Sequence, residues 1–165
     1  MGAAIPDSVL DRARVVCILL GEVAAVPDRA PLVAVFNSSR DTVDMLEEAF
    51  RQEGFRTISG HVADVRDGEL DLPRFLAEHD PQAIVWDIAP PYARNWSFLE
   101  TLMAQQVLQG RGLVLTTTHR GHLDTAAGHH IHAIEIIGKP YDLGQVVAAV
   151  QTALRSTDPQ RSETR

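Results

Sequence analysis

The fold of this chain is indicated first by a short apolar run that ends in a carboxylate, Ala83-Ile84-Val85-Trp86-Asp87. A run of this length, with β-branched and aromatic residues, is typical of a buried strand. The segment that follows, Ala89-Pro90-Pro91-Tyr92, contains two prolines, which fix φ and exclude helix there. We therefore predict a buried strand that presents Asp87 at its end, followed by a rigid loop.

Comparable apolar runs recur along the chain and alternate with segments of helical spacing. The other predicted strands are Leu32–Phe36, Phe55–Ser59, Leu113–Leu115 and Ala133–Ile137. The predicted helices are Arg40–Glu53, Leu72–His79, a helix capped by Asn95 and running to about Gln109, a short one within His119–His130, and Leu143–Leu154; residues 60–70 are predicted as a surface loop. This alternation predicts an α/β fold, a doubly wound (βα)5 unit with a five-stranded parallel sheet and helices on both faces.

Length, charge and cysteine content limit the class of protein. The chain has 165 residues, which suits one domain, and a net charge of −7 with no Lys/Arg run, which disfavours nucleic-acid binding. Val15–Leu20 is too short for a membrane span, which needs about 20 apolar residues. The single cysteine, Cys17, cannot form an internal disulfide, and a cytoplasmic setting is expected. We expect a leader helix in residues 1–30, the main domain in residues 31–155 and a disordered tail in residues 156–165.

Polar residues end four of the predicted strands, and those after the first strand are Asn37 and Ser38. In open parallel sheets, ligands bind outside the carboxyl ends of the strands. Asp87, Thr116 and Lys139 end strands three, four and five, and together they form a set suited to phosphoryl transfer. The carboxylate can act as nucleophile, the hydroxyl can donate to a phosphoryl oxygen, and the ammonium can neutralise a second one.

Three segments resemble the receiver domains of bacterial response regulators (CheY-like domains), over roughly residues 31–155. They are Ile84–Pro91, Leu115-Thr116-Thr117 and Gly138-Lys139-Pro140-Tyr141-Asp142-Leu143. The resemblance implies that Asp87 is the phosphoacceptor, Thr116 the switch hydroxyl and Lys139 the phosphate-binding lysine, with Ala89 beside the phosphate. It also implies phosphoryl transfer from a sensor histidine kinase, with any enzymatic activity limited to self-phosphorylation and dephosphorylation at Asp87.

The sequence departs from that family at two positions. Receivers carry an acidic pair after the first strand that binds Mg²⁺, and this chain has Asn37 and Ser38 there. Mg²⁺ prefers charged oxygen ligands, so we expect a weakened Mg²⁺ site with Asp87 as its carboxylate and no other cofactor. Asp41 and Asp44, within the following helix, are expected to point away. The aromatic residue that receivers usually carry three positions before the lysine is replaced here by Ile136.

Three functions therefore stay open at the level of sequence. The first is a stand-alone receiver phosphorylated on Asp87, and the second is a phosphorylation-independent pseudo-receiver that acts as an interaction module. The third is a small flavodoxin-like cofactor-binding protein, suggested by the hydroxyl-rich segment Phe36–Thr42, although that segment lacks glycine. Expected partners are a sensor histidine kinase or another signalling protein, through a surface that includes Tyr92, Trp96 and Tyr141, and the leader helix could mediate homodimerisation. The His119–His132 cluster lacks the spacing of a structural zinc site, so solvated loop histidines are expected.

Overall fold

The computed structural model of the chain describes residues 30–118, 134–138 and 142–157, with the side chain of Ile137 alone described in the second range. These residues form one parallel sheet of five strands in the order β2-β1-β3-β4-β5. The elements, in chain order, are β1 (Leu32–Asn37), α1 (Arg40–Gln52), β2 (Arg56–His61), α2 (Val62–Asp67), α3 (Leu72–His79), β3 (Ala83–Ile88), α4 (Tyr92–Ala104), β4 (Gly112–Thr117), β5 (Ile134–Gly138) and α5 (Leu143–Thr157).

The sheet is covered by helices on both faces, because successive side chains of a strand point to opposite sides. One face packs strand valines against α1 and α5; its buried residues include Val33, Val35, Val85, Val114, Leu46, Phe50, Val146 and Val150. The other face packs larger side chains against α2, α3 and α4; its buried residues include Phe36, Ile84, Trp86, Leu115, Val65, Leu72, Leu76 and Leu99. The prediction of an α/β fold with a parallel sheet is confirmed.

The segment between the second strand and the third helix differs from the prediction. β2 continues to His61, and α2 follows directly where a surface loop was expected. Val62 and Val65, one helical turn apart, are both buried against the sheet, and Gly68 ends the helix in the left-handed conformation at φ 81°. Charged residues surround these two valines in the sequence, which is why the segment was predicted as a surface loop.

Two helix boundaries also differ from the prediction. α4 begins at Tyr92, three residues before its predicted cap Asn95, and ends at Ala104 rather than near Gln109. α5 extends to Thr157, so the predicted disordered tail starts too early. The hydroxyls of Ser156 and Thr157 donate to carbonyl groups one turn back, which satisfies acceptors of the last turn.

Several predictions fall on residues outside the described ranges. They concern the leader helix with Cys17, the His119–His132 cluster and its short helix, Lys139, Tyr141 and the end of the tail. Within the described ranges, no helix combines the length and the apolar character that a membrane crossing requires.

Candidate functional site

The central strands bring the predicted site residues of β1, β3 and β4 together at the carboxyl edge of the sheet. Phe36 pairs with Trp86 in the β1–β3 register, and Asp87 pairs with Thr116 in the β3–β4 register. The backbone thus continues from Phe36 into Asn37 and Ser38 directly beside Asp87. The sequence prediction that these strand ends converge agrees with this register.

Asp87 is enclosed by hydrogen-bond donors from both neighbouring strands. Its side chain is 1% exposed. The Ser38 hydroxyl donates to Oδ2 over 2.6 Å, and the Ser38 backbone N–H donates to the same oxygen over 3.4 Å. The Thr116 hydroxyl, which is fully buried, donates to Oδ1 over 3.3 Å. Both carboxylate oxygens therefore already accept hydrogen bonds from within the protein.

Asn37 presents a donor in the position where receivers carry a carboxylate. Its Oδ1 accepts a hydrogen bond from the Ser39 backbone N–H over 3.0 Å. A backbone N–H can only donate, so this contact fixes the orientation of the amide. The other end of the amide, Nδ2, is buried and has no hydrogen-bond partner. Asn37 therefore offers a neutral amide whose oxygen is already engaged, a weaker ligand for Mg²⁺ than a carboxylate.

The residues at this edge do not fit a Mg²⁺ ion. Asp87 is the single carboxylate among Asn37, Ser38, Asp87 and Thr116, and the Ser38 hydroxyl already donates to it. Mg²⁺ requires octahedral oxygen coordination and is usually held by carboxylates. Over residues 30–118, 134–138 and 142–157, no group of three or more His, Cys, Asp or Glu side chains could hold a metal ion. The expected weak Mg²⁺ site therefore has no adequate donor set in the described part of the chain.

A second network, which the sequence analysis missed, holds the loop after β3. The side-chain amide of Asn95 donates to the Ala89 carbonyl oxygen over 2.7 Å. Its oxygen accepts from the Arg66 guanidinium of α2 over 3.4 Å. Asn95 is 4% exposed, so it is a buried tether in the first turn of α4, not the cap that was predicted. The Ala89 carbonyl, expected beside the phosphate, is thus already a hydrogen-bond acceptor.

Two residues of the predicted partner surface, Tyr92 and Trp96, lie in the described ranges. Trp96 is 8% exposed and belongs to the apolar cluster with Trp86 and Leu99, so its assignment to an exposed surface is wrong. The cause is the earlier start of α4, which places Asn95, Trp96, Leu99 and Leu102 on the face toward the sheet. Tyr92 is half-buried, and its hydroxyl forms a hydrogen bond with the Thr118 hydroxyl.

Comparison with known proteins identifies the fold. No family model and no curated protein sequence matches the chain. A response regulator receiver protein from Sinorhizobium medicae is 16% identical with a TM-score of 0.56, over 79% of this chain and 98% of that one. A sensor protein from Polaromonas sp. JS666 is 15% identical with a TM-score of 0.62, over 80% and 100% of the two chains.

A third structure, described as a transiently phosphorylated switch in bacterial signal transduction, is 21% identical with a TM-score of 0.59, over 77% of this chain and 96% of that one. The described chain therefore has the fold of response-regulator receiver domains, as the resemblance implied. At these identities the likeness establishes the fold, and the function has to be argued from the site.

Proposed function

We propose that this chain is a cytoplasmic receiver-like module of two-component signalling that acts through protein contacts without being phosphorylated. The receiver fold supports the signalling class. The observation that carries the proposal is the hydrogen bond from Ser38 to Asp87 at 2.6 Å, because it places a neutral donor where a receiver would hold a metal-binding carboxylate.

Phosphorylation of a carboxylate requires a nucleophilic oxygen and positive charge for the transferred group. The phosphoryl group carries negative charge on its three equatorial oxygens, and catalysis consists mainly of positioning and neutralising that charge. Here both Asp87 oxygens accept hydrogen bonds, and the side chain is 1% exposed. Asn37 and Ser38 supply no acidic pair to bind a cation, so the negative charge of the transferred phosphoryl group is poorly neutralised.

Asp87 serves the structure of the sheet edge in this proposal. Its two oxygens connect Ser38, directly after β1, with Thr116 on β4. The three strand ends are thereby fixed relative to one another, as an interaction module with a constant binding surface requires. The partner class that fits this role is a sensor histidine kinase or another signalling protein.

A phosphorylated receiver is the second candidate, and one observation favours it. Asp87 and Thr116 are register partners with their hydroxyl and carboxylate 3.3 Å apart, the pairing that the resemblance assigns to a phosphoacceptor and its switch residue. The flavodoxin-like alternative gains no such support. The Ser38 hydroxyl of the loop it requires donates to Asp87, and the Ser39 hydroxyl accepts from Thr42 N at the start of α1.

Intact-mass measurement after incubation with acetyl phosphate and Mg²⁺ separates the two candidates. We expect no added phosphoryl group on the wild-type chain, because the charge of the incoming group is not neutralised by a bound cation. A receiver with a complete acidic pair, treated in parallel, verifies the reagent. A phosphoryl group that appears on the wild type and on Asp41→Asn, but is lost in Asp87→Asn, would establish the phosphorylated receiver instead.

A further inference from the structure

The loop after β3, residues 89–91, is held by the buried residue Asn95. Pro90 and Pro91 have no backbone N–H, so they cannot donate hydrogen bonds that would fix the loop. Asn95 supplies two donors instead: its side-chain amide donates to the Ala89 carbonyl oxygen over 2.7 Å, and its backbone N–H donates to the Pro91 carbonyl oxygen over 3.2 Å. The position of the loop therefore depends on the position of Asn95.

The oxygen of the Asn95 amide is held in turn by α2. It accepts a hydrogen bond from the Arg66 guanidinium over 3.4 Å. The same guanidinium donates to the Asp67 carboxylate over 3.0 Å and 3.3 Å. The side chain of Arg66 is 24% exposed, and that of Asp67 is 52% exposed. Arg66 is thus shared between a buried amide and a carboxylate at the surface.

The carboxylate holds Arg66 more firmly than the amide does. A hydrogen bond from a guanidinium to a carboxylate is charge-assisted and is roughly twice as strong as a bond between neutral groups. The contact from Arg66 to Asn95 is long for an N–H···O hydrogen bond, most of which are shorter than about 3.2 Å. A change in the charge of Asp67 therefore alters the contact between Arg66 and Asn95.

The loop is joined to β4 at its other end. Tyr92 begins α4 directly after Pro91, and its hydroxyl forms a hydrogen bond with the hydroxyl of Thr118, the residue that follows β4. Asp87 lies on β3, two residues before Ala89. A displacement of the loop is therefore passed to the residues around Asp87 and to the end of β4.

We propose that Arg66, Asn95 and the Ala89 carbonyl form a relay that couples the surface of α2 to the loop beside Asp87. The exposed ion pair of Arg66 with Asp67 is its input. A partner protein that pairs with either member of this ion pair changes the contact between Arg66 and Asn95, and the loop follows. The existence of such a partner rests on the proposed function, whereas the coupling is a property of the chain alone.

Amide NMR spectra of the whole chain test the relay without a partner. Asp67→Asn replaces a charged acceptor at the surface by a neutral one and leaves every residue of the loop in place. We expect the side-chain amide signal of Asn95 and the backbone amide signals of Ala89 and Tyr92 to shift, because the guanidinium is released toward the amide oxygen.

Two further variants separate the relay from a general effect of charge. Glu69→Gln makes the same change of charge at an exposed residue two positions further on, and it should leave these signals in place. The shifts caused by Asp67→Asn should vanish in an Arg66→Gln background, because the link to Asn95 is then absent. Unchanged signals in Asp67→Asn, equal shifts in Glu69→Gln, or shifts that persist without Arg66 would each overturn the relay.

The relay and the proposed function fail or stand separately. The NMR experiment involves no phosphoryl donor, so unchanged spectra would leave the proposed function untouched. A phosphoryl group found on Asp87 in the mass measurement would overturn the proposed function and leave the coupling between α2 and the loop in place.

Discussion

Polar groups at the carboxyl edge of the sheet exist in two different states. Both carboxylate oxygens of Asp87 accept hydrogen bonds within the protein, and its side chain is 1% exposed. A groove at the carboxyl end of β2 is lined by Arg40, Asp44 and Asp64, which form no ion pairs among themselves. The comparison indicates that the paired groups stabilise the fold, whereas the exposed charges of Arg40 and Asp44 are hydrated.

The position of each strand in the sheet explains this difference. β3 lies between β1 and β4, so Asp87 has donors on both sides. Among the described strands, β2 lies at the edge of the sheet and pairs with β1, and residues of α1 and α2 border its carboxyl end. The end of β2 therefore borders an open groove, whereas the end of β3 is flanked by residues from two neighbouring strands.

The largest effect on stability is expected for Ser38→Ala. Ser38 is exposed, and most exposed substitutions change the free energy of unfolding by less than about 0.5 kcal/mol. Here the change removes a 2.6 Å hydrogen bond to a buried carboxylate, and we expect a loss of about 1–2 kcal/mol. Urea denaturation followed by circular dichroism measures it, with Ser97→Ala, at an exposed position of α4, as the control. Equal stability of wild type and Ser38→Ala would show that the Asp87 contact does not stabilise the fold.

A smaller loss is expected for Thr116→Val, which keeps the shape of the side chain and removes its hydroxyl. The bond to Asp87 is 3.3 Å long, so it is weaker than that of Ser38, and we expect a loss of about 0.5–1 kcal/mol. The same denaturation experiment applies. In the Ser38→Ala background the loss should differ, because both hydroxyls act on one carboxylate, and strict additivity would argue against a shared site.

The smallest effect on stability is expected in the groove at the end of β2. The double variant Arg40→Gln/Asp64→Asn removes two charges that form no ion pair, so the free energy of unfolding should change by less than about 0.5 kcal/mol. A loss as large as that of Ser38→Ala would mean that these charges stabilise the fold, and the contrast between the two regions would disappear.

The sheet and the convergence of Asn37, Ser38, Asp87 and Thr116 could be predicted from the sequence. Apolar runs mark buried strands, and strand ends of a parallel sheet meet at one edge regardless of the details of packing. The direction of the Ser38 hydroxyl could not be predicted in this way. It depends on the close approach of β1 to β3, which no local pattern encodes.

The predicted start of α4 was wrong because it was placed at a residue of good capping type. Asn95 is a good cap by type, but α4 begins three residues earlier, and this shift turns Trp96 from the surface into the core. The groove at the end of β2 was missed for a different reason. Its residues come from α1, β2 and the start of α2, and only the packing of these elements brings them together.

The two apolar layers on either side of the sheet differ in their tryptophan content. Both tryptophans of the chain, Trp86 and Trp96, lie in the layer that α2, α3 and α4 cover, whereas the aromatic residues of the opposite layer are Phe50 and Phe55. Intrinsic tryptophan fluorescence will therefore report on one layer only. If its unfolding curve departs from that of the backbone signal, the two layers melt separately, and the chain is not a single cooperative unit.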